Sequence, residues 1–568
     1  MANKQPDAAP DRARERLDAA LAPVSGSLRR AGLITAGGSL LWLPQAALVA
    51  WLLASLIAGS ADRGTALLAA VGFALLGALR AAFQILADRI LAKAADRVLA
   101  RERAVLVARE GRRAPMAAGP RSAELAALAS EKLNTLEPYI LRYRPAQMRV
   151  FTVPLAILLL SFTISWAAGV ILLVAGPLIP VFMALVGMAA REASERQMDE
   201  IGTLNGMLLE RIQALVDIRL LDAGEQVARG FEERAESLRE RTMAVLRVAF
   251  LSSTVLELFS ALGVALVAVY VGFSLLGTIG FGAWGTPLGV GEGVFLLLLA
   301  PEFFQPLRDL AAAWHDKASA TAVARDLVKA EAVAPVEILG TGAGAVPLPM
   351  PDGPALVSVR GLEIGLGGAQ RIAFPDFDIA CGETCALLGP SGRGKSTLLS
   401  ALAGLLPVAA GRIEIGGQPL DADRADRWRM SVGWIPQAPH FFSGTLRANL
   451  RLGDPEAGDA ELLAALRTAH AEEIVERLPR GLLSQLGETG AGVSGGEARR
   501  LMIARAALGK LPVILADEPT ANLDAQTAEV VTDGLLALAE AGATLIVATH
   551  DETLAARLGR RIELGGAA

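Results

Sequence analysis

The sequence predicts two unlike halves in one chain: an all-α membrane domain of six helical spans, followed by an α/β P-loop nucleotide-binding domain. Three observations carry this. Val150 to Ala190 holds no Asp, Glu, Lys or Arg in 41 consecutive residues, roughly 60 Å of helix and enough for two crossings of a bilayer about 30 Å thick. After Ala334, short β-rich runs alternate with helical ones, the pattern of an α/β domain. Within that stretch, Gly389-Pro390-Ser391-Gly392-Arg393-Gly394-Lys395-Ser396 fits G-x-x-x-x-G-K-[ST] between an apolar run and a helix-like one, which is the context that motif requires.

Composition agrees and excludes other classes. The chain has 568 residues, 53% hydrophobic and only 20% charged, too long for one domain and too apolar for an ordinary soluble enzyme. Two cysteines rule out a disulfide scaffold. With 54 basic against 59 acidic residues the net charge is −5, so no overall basic field recruits nucleic acid.

Residues 1–30 read as a cytoplasmic segment and 31–330 as the membrane domain. Ala31 to Ala61 is uncharged, Gly64 to Ala87 carries only Arg80, and Val248 to Val290 carries only Glu257. Gly293 to Leu307 is interrupted only by Glu302, and a break at Ser165-Trp166-Ala167-Ala168-Gly169 splits the longest uncharged run. Six spans follow, near 31–59, 65–90, 146–166, 169–190, 248–275 and 288–308. Basic residues crowd one side: Arg29 and Arg30, then Arg89, Lys93 and Arg97, then Arg142, Arg144 and Arg149, then Arg191 and Arg196. The short loops on the other side hold only Arg63, so the positive-inside rule places both termini in the cytoplasm of a multi-pass protein in the bilayer.

Two polar stretches between spans keep helical periodicity. In Thr203 to Leu221 the residues Leu204, Met207, Leu208, Ile212, Leu215 and Ile218 fall at helical spacing, so these loops read as helices running on into the cytoplasm. Residues 331–354 read as a linker because Gly340 to Pro354 is rich in Gly and Pro. The nucleotide-binding domain then occupies 355–568.

In the phosphate loop, glycines let backbone N–H groups turn inward around phosphate oxygens, and the following helix, beginning near Thr397, adds positive potential at its N-terminus. Lys395 would reach the β/γ oxygens of ATP and Ser396 would ligate Mg²⁺. Val513-Ile514-Leu515-Ala516-Asp517-Glu518 is a buried-strand pattern ending in two acids. Asp517 is placed to hold the magnesium through water, and Glu518 to orient or deprotonate the attacking water.

Further segments identify a class. Val493-Ser494-Gly495-Gly496-Glu497 resembles the signature of ATP-binding cassette (ABC) ATPases, and Ala521-Asn522-Leu523-Asp524 resembles their D-loop. Gln437 and His550, each just past a strand-like run, match the Q-loop glutamine and the switch histidine. Six spans followed by one cassette is the layout of a type IV ABC exporter half-transporter. The resemblance implies that two such chains pair, with Ser494 to Gly496 contacting ATP held by the partner's phosphate loop. Lys395, Asp517, Glu518 and His550 then serve this chain's own ATP, and Gln437 joins Ser396 and Asp517 around the magnesium. It also implies that loop tips near Arg112 to Glu124 and Leu209 to Leu220 dock on the cassettes. Two departures stand out: Leu362 to Gly368 offers no aromatic residue to stack on adenine, and Glu497 stands where Gln is commoner.

Leu299 to Leu310 resembles the sixth-span segment, and Ser253 to Leu276 the fifth, of CydD-type chains in the CydDC family of heterodimeric ABC exporters. That narrower resemblance implies export of small thiol substrates, cysteine and glutathione, a CydC-like half-transporter as partner, and a role in cytochrome bd assembly. A link to haem comes with it, but the sequence offers only the lone His315 and assigns no haem site. A lipid, drug or peptide exporter, as a homodimer, is the alternative; an ABC ATPase moving no solute is disfavoured by the fused spans.

Arg80, Glu257 and Glu302 are charges within apolar spans, costly by about 2.5 to 3.5 kcal/mol each on insertion scales. They either face a wet substrate cavity or pair internally. Cys381 and Cys385 are spaced C-x3-C and read as structural thiols on a reducing side rather than a redox pair.

Overall fold

A computed structural model describes residues 8–114, 122–179, 181–182, 207, 211, 214–332, 336–341, 346–349, 356–365, 371–487 and 492–565. The chain divides into two compact units, Met1–Leu106 with Arg121–Ala332, and Val107–Pro120 with Val333–Ala568.

In the first unit, five helical runs among the described residues are long and apolar enough to cross a membrane: Asp11–Ile57, Arg63–Gly111, Leu125–Ile164, Thr254–Leu275 and Val290–Ala332. The expected fourth span, 169–190, is described as the apolar helix Trp166–Ile179, and residues 183–190 lie outside the described residues. So do residues 203–206, 208–210 and 212–213 of the expected amphipathic run Thr203 to Leu221, and residues 115–121 of the first loop tip. The turn between the third and fourth spans falls at Ser165, whose extended backbone (φ −148°, ψ 118°) ends the helix Arg144–Ile164. Its hydroxyl donates to the carbonyl of Gly282 at 2.7 Å and lies 2.9 Å from that of Tyr270.

Large apolar side chains such as Leu67, Leu68, Leu75, Phe151 and Leu159 point outward, as expected where lipid rather than water surrounds a helix. Inside, Ile157, Leu172, Ile179, Val271, Leu299 and Phe304 are buried together. The helices Gly224–Leu275 and Val290–Ala312 approach closely because Gly263 has no side chain; a Cβ there would sit 2.3 Å from the Phe304 ring.

Within residues 1–30, expected only as a cytoplasmic segment, the structure has a helix, Ala8–Leu21. Ala13, Leu17, Ala20 and Leu21 are buried on one of its faces, at the spacing of an amphipathic helix. Ala13, Leu17 and Leu21 pack with Ala320, Val323, Ala324 and Leu327 of the helix Trp314–Ala332. Arg16 extends from this helix to pair with Glu102 at 2.5 Å and Glu331 at 2.9 Å.

The second unit holds a parallel sheet ordered Arg560–Glu563, Thr384–Leu388, Thr544–Thr549, Val513–Asp517, Val432–Ile435. Its three central strands are buried on both faces, which explains their continuous apolar runs. Period-two alternation sends Ala386, Leu388, Ile514, Ala516, Leu545 and Val547 into one core and Cys385, Leu387, Val513, Leu515, Ile546 and Ala548 into the other. An antiparallel sheet is built around Val357–Gly365 and Ala410–Ile415. Cys385 therefore lies within a central strand, its thiol pushed up to about 12 by burial, while Cys381 is exposed in the turn before it.

Tip residues of the first long loop belong to this second unit. Ala114 donates to the carbonyl of Val336, Ile338 donates to that of Arg112, and Arg112 pairs with Glu337 at 2.7 Å. The segment expected as a linker is tied down where it is described. The Leu339 N–H donates to the Gly404 carbonyl, the Leu348 N–H to that of Arg427, and Thr341 bonds to Asp426.

Candidate nucleotide site

Register brings the predicted residues together. In the parallel sheet Leu388 pairs with Thr549, Asp517 with Ala548, and Ala516 with Ile435. The phosphate loop, His550, Glu518 and Gln437 therefore leave neighbouring strands at one edge, where ligands bind in parallel α/β sheets.

Pro390, Ser391, Gly392 and Arg393 are exposed at the mouth of the loop. Gly392 and Gly394 take φ of +82° and +86°, a left-handed backbone that glycine adopts without strain. Gly389 is needed for another reason: a Cβ would lie 2.6 Å from the Leu564 carbonyl oxygen. From the start of the helix Lys395–Leu402, buried Lys395 donates through Nζ to the carbonyls of Gly389 (2.8 Å) and Pro390 (3.4 Å). Thr397 is buried in the next positions of that helix.

Glu518 is held from two sides. Its Oε1 lies 3.2 Å from Lys395 Nζ and its Oε2 lies 2.7 Å from Nδ1 of His550. Its φ of +45° is strained for a residue with a side chain, and the N–H of Glu518 is anchored on the Ala548 carbonyl at 2.8 Å. Asp551, just after His550, accepts from Thr520 at 2.9 Å and caps the helix Glu552–Ala556, fastening the two acid-bearing loops together.

Ser396 donates to Oδ1 of Asp517 at 2.9 Å. Burial pushes the Asp517 carboxyl up, opposed by the Ser396 bond; a cation beside it would offset that cost. Two hard oxygen ligands of this kind suit Mg²⁺. Gln437 stands exposed two residues past the strand Val432–Ile435.

The signature residues lie at the start of the helix Gly495–Leu508. Ser494 Oγ accepts from the Glu497 N–H, and Glu497 Oε2 accepts from the Ser494 N–H at 2.7 Å, a reciprocal cap. Arg477 lies 2.5 Å from Glu497 Oε1 and holds its carboxyl below the usual carboxylate range, against an opposing effect of burial. Gly496 leaves room for Thr527, whose Cγ2 would be 2.3 Å from a Cβ. Val493 packs partly buried beside the cassette core. Asp524 caps the helix Ala525–Glu540 by accepting from the Thr527 N–H at 2.9 Å, so its carboxylate has a structural job at this point in the fold.

In the spans, Arg80 and Glu302 meet as an ion pair at 3.5 Å, with the Arg80 guanidinium 5.6 Å from the Trp42 ring centre. Glu257 is exposed and joins neither. Arg477, Arg499, Thr520 and Asp551 were missed by motif reading because none of them stands in a chemical motif.

A family model of the ABC transporter transmembrane region matches residues 33–286, and one of the ABC transporter matches residues 374–521. The transport ATP-binding protein AarD of Providencia stuartii is 40% identical over 433 residues, covering 76% of this chain and 73% of its own. The chain belongs to the ABC exporter family. The glutathione/L-cysteine transport system ATP-binding/permease protein CydD of Escherichia coli is 39% identical over 438 residues, covering 77% of this exporter and 74% of itself. CydC of the same-named system in Bacillus subtilis is 29% identical over 465 residues, covering 79% and 78%. The structure of a bacterial Atm1-family ABC exporter with ATP bound shares the fold, with a TM-score of 0.73, 20% identity, and coverage of 96% of this chain and 94% of the other. The protein is thus a transporter in which membrane and ATPase domains are fused, its transport coupled to ATP.

Proposed function

We propose that this exporter moves the thiol reductants cysteine and glutathione out of the cytoplasm across the inner membrane, as one subunit of a heterodimer with a CydC-like half-transporter. The observation that carries this reading is the 39% identity, over 77% of the chain, to a protein named for glutathione and L-cysteine transport. In this reading both termini and the cassette face the cytoplasm, in keeping with the basic residues on that side of the spans, and the export supports cytochrome bd assembly.

The chain's own residues perform the ATP half of the cycle. Lys395 leaves the carbonyls of Gly389 and Pro390 for the β/γ phosphate oxygens as the loop closes around ATP. Ser396, Gln437 and, through water, Asp517 would hold Mg²⁺, which would draw charge from the phosphate oxygens. Glu518 orients and polarises the attacking water, and His550 fixes that carboxylate from its far side. Ser494 to Gly496 complete the ATP site of the partner chain, and Asp524 lies beside that interface.

The test is uptake of labelled glutathione or cysteine by inside-out vesicles containing this chain with its partner subunit. Uptake should require ATP and vanish in Lys395→Ala and Glu518→Gln. ATP hydrolysis without uptake of either thiol, with transport of a lipid, drug or peptide instead, would overturn the cargo and leave the exporter standing.

A further inference from the structure

Arg499 lies in the second turn of the helix that begins at the signature, and only 6% of it is exposed. No ion pair to it occurs among the described residues, and burial pushes its guanidinium down from the usual range. A buried cation with no counter-charge is costly, so what it does hold is informative. Nη1 donates to the Ala521 carbonyl at 2.5 Å, and Nη2 to the Gln437 carbonyl at 3.4 Å. These carbonyls belong to different loops. One follows the strand Val513–Asp517 and sits one turn beyond Glu518, whose carbonyl accepts from the Ala521 N–H at 3.2 Å. The other follows the strand Val432–Ile435.

The planar fork of arginine reaches two acceptors from separate nitrogens in a fixed geometry, whereas an ammonium donates from one rotatable centre. Displacement of the signature helix would therefore pull on both loops at once. The loop after Asp517 is already constrained around Glu518 by the Ala548 bond and around Thr520 by Asp551; Arg499 ties its far end.

We propose that Arg499 is a positioning residue that links the signature helix to the loops of Gln437 and Ala521 in the same chain, setting Glu518 for hydrolysis without contributing to ATP affinity at the phosphate loop. The proposal rests on the nucleotide-site reading above. Phosphate-loop residues remain free to bind ATP when Arg499 is lost, whereas the geometry that makes turnover efficient does not survive.

The experiment measures ATPase kcat and KM, and binding of a fluorescent ATP analogue, for the full-length transporter with its partner in lipid nanodiscs. The variants are Arg499→Met, which fills similar space without donors, and Arg499→Lys, which retains the charge but reaches one carbonyl. Misplacement of reacting groups of this kind costs up to about 100-fold. Arg499→Met should lower kcat at least about 10-fold with KM and analogue affinity unchanged within about twofold, and Arg499→Lys should recover part of kcat. Unchanged kcat in Arg499→Met, or a fall in analogue affinity that matches the loss of kcat, overturns the proposal. If Arg499→Met does not fold, Arg499→Lys carries the same test, with lowered kcat at unchanged KM expected and wild-type kcat overturning it. Lys395→Ala serves as the control: if that variant binds and hydrolyses ATP normally, the nucleotide-site reading fails, independently of Arg499.

Discussion

Nδ1 of His550 lies 2.7 Å from Oε2 of Glu518, while Oε1 of the same carboxylate lies 3.2 Å from Nζ of Lys395. The acid is thus oriented by one neighbour and neutralised by another, and in the proposed cycle ATP draws the lysine away and frees one oxygen. Glu518→Gln keeps the shape and both contacts but is too weak a base for water. ATP turnover should fall by about 10² to 10⁴-fold, with nucleotide affinity retained. His550→Ala should give a smaller loss with the same split. Steady-state ATPase assays paired with equilibrium nucleotide binding check both; a parallel loss of binding would count against the assigned roles.

Gly389 tests the phosphate loop without touching a charged group. A Cβ at this position would lie 2.6 Å from the Leu564 carbonyl oxygen, and Leu564 is itself tied by its N–H to the Leu388 carbonyl at 2.7 Å. Backbone cannot swing aside as a side chain can. Gly389→Ala should therefore destabilise the cassette by about 1–3 kcal/mol and weaken ATP binding. Thermal unfolding with and without ATP reads both effects, and an unshifted midpoint would show that the strand Arg560–Glu563 yields more easily than this packing implies.

Local patterns made the two halves and the phosphate loop legible. The run Val150 to Ala190 contains no charge, and Gly389 to Ser396 announces its own loop conformation. Sheet order was less accessible: nothing local says that Leu388 pairs with Thr549 or Ala516 with Ile435, yet those pairings gather the site. Arg499 and Arg477 act through carbonyls and carboxylates brought near by folding, so no spacing rule reveals them. The Ala8–Leu21 helix was hidden by its many charges; its apolar face is only visible once the helix Trp314–Ala332 is seen against it. Asp524 shows the opposite difficulty, because the same side chain that stands in a motif is also an ordinary helix cap.

Arg80 and Glu302, 222 positions apart, leave the sequence with two readings, and the 3.5 Å contact supports internal pairing. Leaving either charge alone within the bilayer costs about 2.5–3.5 kcal/mol on insertion scales. Arg80→Glu should lower the amount of folded transporter and its thermal midpoint in detergent, and Glu302→Arg added to it should restore part of both. Thiol-stimulated ATPase activity separates the other role: if it is unchanged in Arg80→Ala, Arg80 does not line a substrate cavity.

Arg477 and Glu497 give a pH-dependent signal. The guanidinium beside it holds the Glu497 carboxyl below its ordinary value of about 4.3. A depressed carboxyl pKa favours the folded state fully above the unfolded value, and that contribution disappears as pH falls through the lower folded value. Glu497→Gln keeps an acceptor for the Ser494 N–H and removes only the charge. Wild-type protein should therefore melt higher than Glu497→Gln by a constant margin between pH 6 and 8, narrowing below about pH 4.3. Arg477 is more than half exposed, so added salt should shrink the margin at neutral pH. Thermal unfolding of the two full-length chains across pH and salt measures this. A margin that widens as pH falls would reverse the sign expected of a carboxylate stabilised by its partner, and the pair would then owe its geometry to packing rather than to charge.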